Sequence, residues 1–221
     1  MAAREPLNRE KILDAALVIA DELGLSGLSM RRLAKGLGVE AMALYNHVAN
    51  KTAILDGLAE RVFAEVEPPD PALPWPERVR SLATSMHAAF GRHPVVPLAL
   101  VTDQANPTTL AALRPLEALI GAFAEAGFDD DGVRRALSSV NALVYGTLAL
   151  TTLGFGKEPG GSFGPEHLDV FVRKVDPAKL PHFSRLLASM PDADPAEDFA
   201  WALNRLIAGL EAAAPVRDGA S

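Results

Sequence analysis

The sequence predicts an all-α protein, and three observations support this prediction. Apolar residues recur at helical spacing along most of the chain, whereas the strict alternation of a half-buried strand is nearly absent. Of the 221 residues, 49% are hydrophobic and 22% are charged, which is typical of a packed globular chain. Residues that begin or end helices stand between the apolar segments.

Four helices are predicted in the first third of the chain. Asn8, Ser29 and Asn50 each precede an apolar segment and can cap a helix through their side-chain oxygens. Gly24 and Gly38 each follow such a segment and can end a helix, because glycine adopts a positive φ at little cost. The predicted helices cover residues 8–23, 29–38, 40–47 and 51–66.

Five prolines between residues 68 and 76 divide the chain, because a cluster of prolines cannot continue a helix. We expect a head over residues 1–66, a larger helical body over residues 67–214, and a disordered tail over residues 215–221. Residues 155–193 are rich in glycine and proline and are expected to form a mobile loop. Body helices are predicted at about 76–92, 95–102, 108–126, 130–154 and 195–214, with short helices near 167–175 and 181–190.

Composition excludes several classes of protein. The chain has no cysteine, which rules out a disulfide scaffold, a cysteine-ligated metal site and a thiol nucleophile. The first six residues do not begin a secretory leader, and the longest apolar stretch, residues 143–153, is too short and polar to span a bilayer. We therefore expect a soluble, cytoplasmic protein that has no membrane partner.

Charge is distributed unevenly along the chain. The net charge of −7 argues against a general nucleic-acid coat protein. Residues 1–51, however, hold seven basic and six acidic side chains, whereas the remainder holds 14 basic and 22 acidic ones. The sequence therefore allows a small, locally basic head on an acidic body.

One stretch, residues 28–51, has the spacing of a helix-turn-helix. Ala34 is small where the two helices would cross, and Gly38 follows four residues later at the turn. Leu44, six residues after Gly38, is the apolar peg of the second helix. The same spacing occurs in ordinary helical hairpins, so these three positions alone do not separate a DNA-binding motif from a structural one.

The residues around this motif favour DNA binding. The second helix would have Ala41, Met42, Tyr45 and Asn46 on its outward face, and short outward side chains let a helix approach the floor of the major groove, which is about 12 Å wide. Nearby side chains that are basic or form hydrogen bonds can reach phosphates; they are Arg31, Arg32, Lys35, Tyr45, His47 and Lys51.

The stretch Leu28–Lys51, which contains Leu44-Tyr45-Asn46-His47-Val48 and Asn50-Lys51, resembles the N-terminal domain of TetR-type transcriptional repressors. The resemblance is specific over about residues 8–66. Over 75–214 it is a general pattern of helices, where Trp75 and the long loop before the last helix resemble the tetracycline-repressor-type C-terminal domain. It implies a three-helix DNA-binding domain joined to a ligand-binding and dimerisation domain. The DNA-binding residues that it implies are Arg31, Ala41, Met42, Ala43, Tyr45, Asn46, His47 and Lys51.

The resemblance further implies a homodimer that binds a palindromic double-stranded operator and releases it when an unknown small-molecule effector binds the body. Two long helices could associate with their copies in a partner chain, although their apolar stripes could equally form the core of one subunit. The stripes are Val133, Leu137, Val140, Val144 and Leu148 in one helix, and Phe199, Leu203, Leu206, Ile207 and Leu210 in the other.

An effector pocket is expected among the body helices, since such pockets are mostly apolar with a few polar groups that orient the ligand. True tetracycline repressors bind a magnesium ion through histidines. This chain has Glu67-Pro68-Pro69 and Val96-Pro97-Leu98 in the matching places, so we expect no metal and no cofactor. The candidate lining residues are Phe63, Met86, His87, Phe90, Leu98, Leu116, Ile120, Phe123, Asn141 and Tyr145.

Catalysis is not expected. The five histidines are scattered, and the sequence contains neither a Gly-x-Ser-x-Gly elbow nor a glycine-rich phosphate loop after a strand. The remaining alternative to a DNA-binding regulator is a helical small-molecule-binding or interaction protein whose helix-turn-helix is structural only. DNA affinity that falls steeply with salt would distinguish the regulator from this alternative.

Overall fold

The computed structural model describes residues 6–153, 176–189 and 194–215, and the regular structure in these ranges is entirely α-helical. The prediction of an all-α fold is therefore confirmed. The predicted helix near 167–175 and the tail beyond residue 215 lie outside the described residues. In chain order the helices are α1 Arg9–Gly27, α2 Met30–Leu37, α3 Ala41–Leu44, α4 Lys51–Ala64, α5 Trp75–Arg92, α6 Val95–Val101, α7 Leu110–Glu125, α8 Asp130–Leu153, α9 Pro181–Ser189 and α10 Pro195–Ala213.

The predicted caps of the head helices are confirmed. The side-chain oxygens of Asn8 and Asn50 each accept a hydrogen bond of 2.9 Å from a backbone N–H of the first turn, and Ser29 accepts one of 3.2 Å. Gly24 has φ +69° and interrupts α1, so the regular helix ends where the sequence predicts and a short turn continues to Gly27. Each cap satisfies a backbone group that would otherwise lack a partner inside its helix.

The third helix is shorter than predicted. The sequence indicates a helix from about Glu40 to His47, but α3 covers only Ala41–Leu44. The backbone N–H groups of His47 and Val48 both donate to the Leu44 carbonyl, at 2.9 and 3.0 Å, so the chain leaves the helix in a tight turn. The prediction was wrong at this end because hydrophobic periodicity does not distinguish a helix from a series of turns.

The body is a bundle in which α5, α7, α8 and α10 pack against one another. Helix α4 packs against α6 and α7, and α1 also contacts α6. The head is therefore joined to the body by helix packing as well as by the covalent chain. Gly127, with φ +95°, ends α7 and turns the chain toward α8. Among the described helices, none has the length and the apolar composition that crossing a membrane requires.

A single hydrophobic core runs from the head into the body. Ile12 and Leu58 in the head, and Met86, Phe90 and Leu119 in the body, are each 1% exposed or less. Among the described residues the core contains no fully buried polar or charged side chain. Helix α4 contributes to both parts, so a displacement of the body helices is expected to move α4 and the motif attached to it.

Candidate nucleic-acid interface

Helices α2 and α3 form the helix-turn-helix that the sequence predicts. Gly38 adopts φ +64° and ψ +39°, the left-handed conformation, and its N–H donates to the Lys35 carbonyl at 3.2 Å. Ala34 is 3% exposed where the helices cross, and Leu44 is completely buried as the apolar peg. Because a β-carbon is costly in the left-handed conformation, glycine at position 38 sets the angle between the two helices.

The opposite face of α3 and the turn after it are open to solvent. Met42 is 74% exposed and Tyr45 is 47% exposed, although large apolar and aromatic side chains are more often covered. Asn46 and His47 are also exposed, and Ala41 and Ala43 on either side of Met42 are half-buried. The residues predicted to face DNA bases are thus available at the surface of the motif.

The neighbouring side chains of Arg31 and Arg32 have different surroundings. The guanidinium of Arg32 donates to the Gly27 carbonyl at 2.5 Å and holds the end of α1 against α2. Arg31 is exposed and makes no ion pair or side-chain hydrogen bond within the part of the chain that the structure describes. Sequence alone could not separate them, because the acceptor for Arg32 is a backbone carbonyl in the preceding turn.

Lys51 has a structural contact in addition to its predicted contact with phosphate. Its ammonium donates to the Leu25 carbonyl at 2.6 Å, which links the start of α4 to the turn at the end of α1. An ammonium carries three donors, so this hydrogen bond leaves two N–H groups. A substitution at Lys51 would therefore change the packing of the head as well as its charge.

Ion pairs between α1 and α4 neutralise acidic groups of the head. The guanidinium of Arg61 binds Asp14 at 2.8 Å and also binds Glu10, and Arg9 lies 3.3 Å from Glu60. Burial lowers the pKa of Arg61, but the hydrogen bonds and charges of the two carboxylates of α1 together outweigh burial, so the pKa is raised above its ordinary value. These ion pairs join α1 to α4 inside the head.

In the body, part of the predicted pocket comes together around one aromatic cluster. The rings of Phe63 and Phe90 lie 5.1 Å apart edge to face, and Tyr145 stacks on Phe90 at 5.6 Å. Burial raises the pKa of the Tyr145 phenol to about 12. Asn141 lies one turn before Tyr145 on α8, and its amide oxygen is buried without a hydrogen-bond partner. An unpartnered polar atom beside aromatic rings is suited to a ligand that forms hydrogen bonds.

Other residues of the predicted pocket lie elsewhere. Phe123 packs against Trp75 and Phe128, at 6.1 Å from each ring, because the start of α5 covers the end of α7. Ile120 is 37% exposed, and His87 stacks on Phe199 of α10 at 3.9 Å. Ile120 and Phe123 therefore make none of the ring contacts of the Phe63–Phe90–Tyr145 cluster, and their part in a pocket stays a prediction. Of the remaining candidates, Met86 is fully buried, and Leu98 and Leu116 are half-buried.

We expect the pH dependence of stability to report on His87. Burial lowers the pKa of its imidazole below the ordinary value of 6.5, so the unfolded chain takes up the proton first as the pH falls. Stability should therefore decline as the pH falls through about 6.5. His87→Phe, which keeps a ring against Phe199, should reduce this decline in melting curves recorded between pH 8 and pH 5, whereas His182→Gln at an exposed site should not. An unchanged decline in the His87 variant would contradict this.

Most residues of the apolar stripes along α8 and α10 pack inside the subunit. Val140, Val144 and Leu203 are at most 1% exposed because α8 and α10 pack against each other and against α5. Leu148, Phe199 and Ile207 are at most 4% exposed, and Val133, Leu137, Leu206 and Leu210 are half-buried. The buried residues of the two stripes therefore belong to the core of the subunit, which is one of the two alternatives that the sequence leaves open. Periodicity could not decide between them, because it shows that a helix is amphipathic but not which neighbour covers its apolar face. A contribution of the four half-buried residues to a dimer interface stays a prediction.

The outer faces of α8 and α10 are different in character. Trp201 is 66% exposed on α10 and Leu150 is 64% exposed on α8. A β-carbon built on Gly146 or Gly209 would meet nothing within 4 Å, so these parts of the helices are open to close approach by another chain.

Among the residues described, no group of three or more histidine, aspartate or glutamate side chains is arranged to hold a metal ion.

Helices α2 and α3 pack around the buried Leu44 and leave Met42, Tyr45 and Asn46 exposed on α3 and the turn after it. This is the architecture of a helix-turn-helix DNA-binding protein. The chain belongs to the TetR family of bacterial regulatory proteins. Residues 12–58 match the model described as "Bacterial regulatory proteins, tetR family", and residues 67–214 match "Tetracyclin repressor-like, C-terminal domain". These two matches cover the helix-turn-helix and the body respectively.

Curated relatives include several regulators. The chain is 42% identical over 92 residues to the tetracycline repressor protein class D of Escherichia coli, an alignment that covers 39% of this chain and 41% of that protein. It is 31% identical over 158 residues to an HTH-type transcriptional regulator of Saccharopolyspora erythraea, covering 71% of this chain and 66% of the relative. It is 28% identical to the HTH-type transcriptional repressor DrrR1 of Streptomyces coeruleorubidus, covering 97% of this chain and 81% of the relative.

Solved structures show the same fold along nearly the whole chain. The TetR family protein ActR of Streptomyces coelicolor, in complex with (S)-DNPA, superposes with a TM-score of 0.72 at 26% identity, covering 96% of this chain and all of that one. A possible TetR family regulator from the same organism superposes with a TM-score of 0.77 at 30% identity, covering 93% of this chain.

Proposed function

We propose that this protein is a ligand-responsive transcriptional repressor that binds a palindromic DNA operator as a homodimer. The observation that carries the proposal is the exposed face of α3, on a motif held rigid by the buried Leu44. Relatives named as repressors support the proposal, and so does the ActR structure that contains actinorhodin, since it matches this chain over 95% of its length.

The proposed DNA contacts divide into two kinds. Ala41, Met42 and Ala43 have no side-chain donors, so they would read bases through apolar contact, such as contact with a thymine methyl group. Arg31 and Asn46 would supply the polar discrimination between bases. The remaining contacts, with phosphates, would be made by Tyr45, His47 and Lys51.

The neighbouring arginines provide a matched test of these contacts. Arg31→Ala should weaken operator binding by about 1–3 kcal/mol and leave the melting temperature unchanged, because the side chain has no described internal partner. Arg32→Ala should lower the melting temperature, because the Gly27 carbonyl loses its donor. Anisotropy titrations and thermal melts of both variants check this. Equal losses of affinity and of stability in the two variants would contradict it.

Dimerisation is proposed through the outer faces of α8 and α10. Trp201 and Leu150 give large apolar contacts, and the open surfaces at Gly146 and Gly209 would allow helices of two subunits to pack closely. One helix-turn-helix contacts few bases, whereas two heads about 34–36 Å apart would read two successive half-sites. A dimer thus supplies the specificity that a single head lacks.

The effector is proposed to bind beside Phe63, Phe90, Asn141 and Tyr145. Phe63 belongs to α4, the helix that follows the helix-turn-helix in the head. A ligand that contacts this ring would therefore displace α4 directly. A ligand that binds more tightly to the conformation with misplaced heads would shift the population away from the DNA-binding state.

The test of the proposed function begins with DNA. A duplex selected from a random library by the purified protein should contain two inverted half-sites, and its binding should weaken steeply as salt is added. Failure to enrich any sequence would favour the alternative, a helical binding protein with a structural helix-turn-helix.

A further inference from the structure

A polar contact joins the body to the head through His93. His93 lies at the corner between α5 and α6, and its ring faces carboxylates that belong to two other helices of the chain. Its Nδ1 lies 3.2 Å from a carboxylate oxygen of Asp21 in α1, and its Nε2 lies 3.9 Å from one of Glu65 at the end of α4. Because an ionised carboxylate can only accept a hydrogen bond, Nδ1 is the donor and carries a hydrogen directed at Asp21.

The backbone around His93 fixes the position of this ring. The His93 N–H donates to the Phe90 carbonyl at 3.2 Å, and its own carbonyl accepts from the Val96 N–H at 2.9 Å. Pro94 follows directly and restricts the backbone further. The imidazole is therefore held by the corner of the body helices and moves only with that corner.

The preceding residue strengthens the same junction. The guanidinium of Arg92 donates to one oxygen of Glu65 from both Nε, at 3.1 Å, and Nη2, at 2.5 Å. Two adjacent residues of the corner thus bind one carboxylate from α1 and one from α4. Contacts at two helices fix an orientation, whereas a contact at one helix would leave the head free to pivot.

We infer that His93 is a positioning residue for DNA recognition, which acts by holding α1 of the head through Asp21. This inference rests on the proposed dimeric DNA binding. In a dimer, the orientation of each head relative to its body sets the separation of the two recognition helices. His93 and Asp21 therefore make the protein selective for one separation of half-sites.

The same contact connects the head to the effector region. Helix α6 begins two residues after His93 and contains Leu98, which is half-buried and is a candidate wall of the pocket. A displacement of α6 by a ligand moves the corner and breaks or strains the contact with Asp21. A displacement of α6 thus reaches α1 directly through this contact, in addition to any effect that passes through α4.

The experiment measures tolerance of half-site spacing. Duplexes are made from the sequence that the wild-type protein selects, with zero, one or two base pairs added or removed between the half-sites, together with a duplex that carries one half-site. For the wild-type protein, one added base pair should weaken binding about tenfold, because it shifts and rotates one half-site relative to the other. For His93→Ala and Asp21→Ala, binding to the duplex of optimal spacing should weaken about fivefold, the size expected from losing one hydrogen bond in each subunit of a dimer. In these two variants, one added base pair should weaken binding little more than the substitution itself does.

Conservative variants distinguish positioning from a general structural role. In His93→Asn the side-chain amide nitrogen takes the place of Nδ1 and should restore the preference for one spacing. In His93→Gln the nitrogen takes the place of Nε2 and should not restore it. Arg9→Ala, which breaks the ion pair with Glu60 inside the head, is the matched control and should keep the wild-type spacing profile. Affinity for the single half-site should be unchanged in all these variants.

The outcomes separate this inference from the proposed function. If the wild-type protein selects no duplex, the proposed function fails and the inference fails with it. If the wild type shows a sharp spacing optimum and His93→Ala and Asp21→Ala keep it, the proposed function stands and the inference is overturned. A flattened profile in Arg9→Ala would also overturn it, because any loss of an ion pair in the head would then have the same effect.

Discussion

Replacing Leu44 with alanine is expected to abolish operator binding and to lower the free energy of unfolding by about 2–5 kcal/mol. Leu44 is completely buried, and it anchors a helix of only four residues between α2 and the turn at Val48. A helix that short has no stability of its own, so its position depends on this one side chain. Without it, the exposed face of α3 would no longer be presented in a fixed orientation.

Met42 on the same helix provides the matched control. Met42→Ala removes a side chain that is 74% exposed, so the free energy of unfolding should change by no more than about 0.5 kcal/mol. Its operator affinity should fall, because an apolar contact with DNA is lost. Denaturant unfolding and anisotropy titration measure both quantities. Leu44→Ala with wild-type stability and affinity would show that the peg does not hold the recognition helix.

Replacing Trp201 with aspartate is expected to produce a monomer with much weaker DNA binding. The side chain is 66% exposed, with the Arg205 guanidinium 5.7 Å from its ring centre, so no core packing is lost on substitution. An aspartate at the proposed interface would bury an unpaired charge in each subunit. Affinity for the operator with two half-sites should fall by about 10²–10⁴, because the second head no longer binds intramolecularly.

A second surface substitution controls for charge and exposure. Leu110 is 68% exposed at the start of α7, away from the outer faces of α8 and α10, so Leu110→Asp should remain dimeric and bind the operator as the wild type does. Sedimentation velocity at micromolar concentration reports the association state of both variants. Trp201→Asp that sediments as a dimer would place the interface elsewhere on the molecule.

Local features of the fold could be predicted from the sequence because their causes are local. Asn8, Ser29 and Asn50 cap helices with their own side-chain oxygens, and Gly38 adopts the left-handed conformation that the turn requires. Leu44 could be identified as the peg because its distance from Gly38 fixes which face of α3 it occupies. The helix-turn-helix was therefore predictable in most of its parts.

Features that depend on tertiary packing could not be predicted. Val140 and Val144 belong to the subunit core, and nothing along α8 itself distinguishes a core position from a position in a subunit interface. Phe123 packs against Trp75, a neighbour 48 positions away in the sequence that no local pattern indicates. The contact between His93 and Asp21 joins residues that are 72 positions apart, and neither belongs to a motif. In each case the decisive neighbour lies on another helix.

The central claim is that two copies of the α2–α3 motif bind duplex DNA together. The most direct measurement is a titration of the purified protein onto the selected duplex at several salt concentrations, with the association state determined in parallel. We expect two chains for each pair of half-sites and an affinity whose logarithm falls linearly with the logarithm of salt, by about 0.9 for each phosphate neutralised. A chain that stays monomeric at micromolar concentration and binds no duplex at low salt would contradict it.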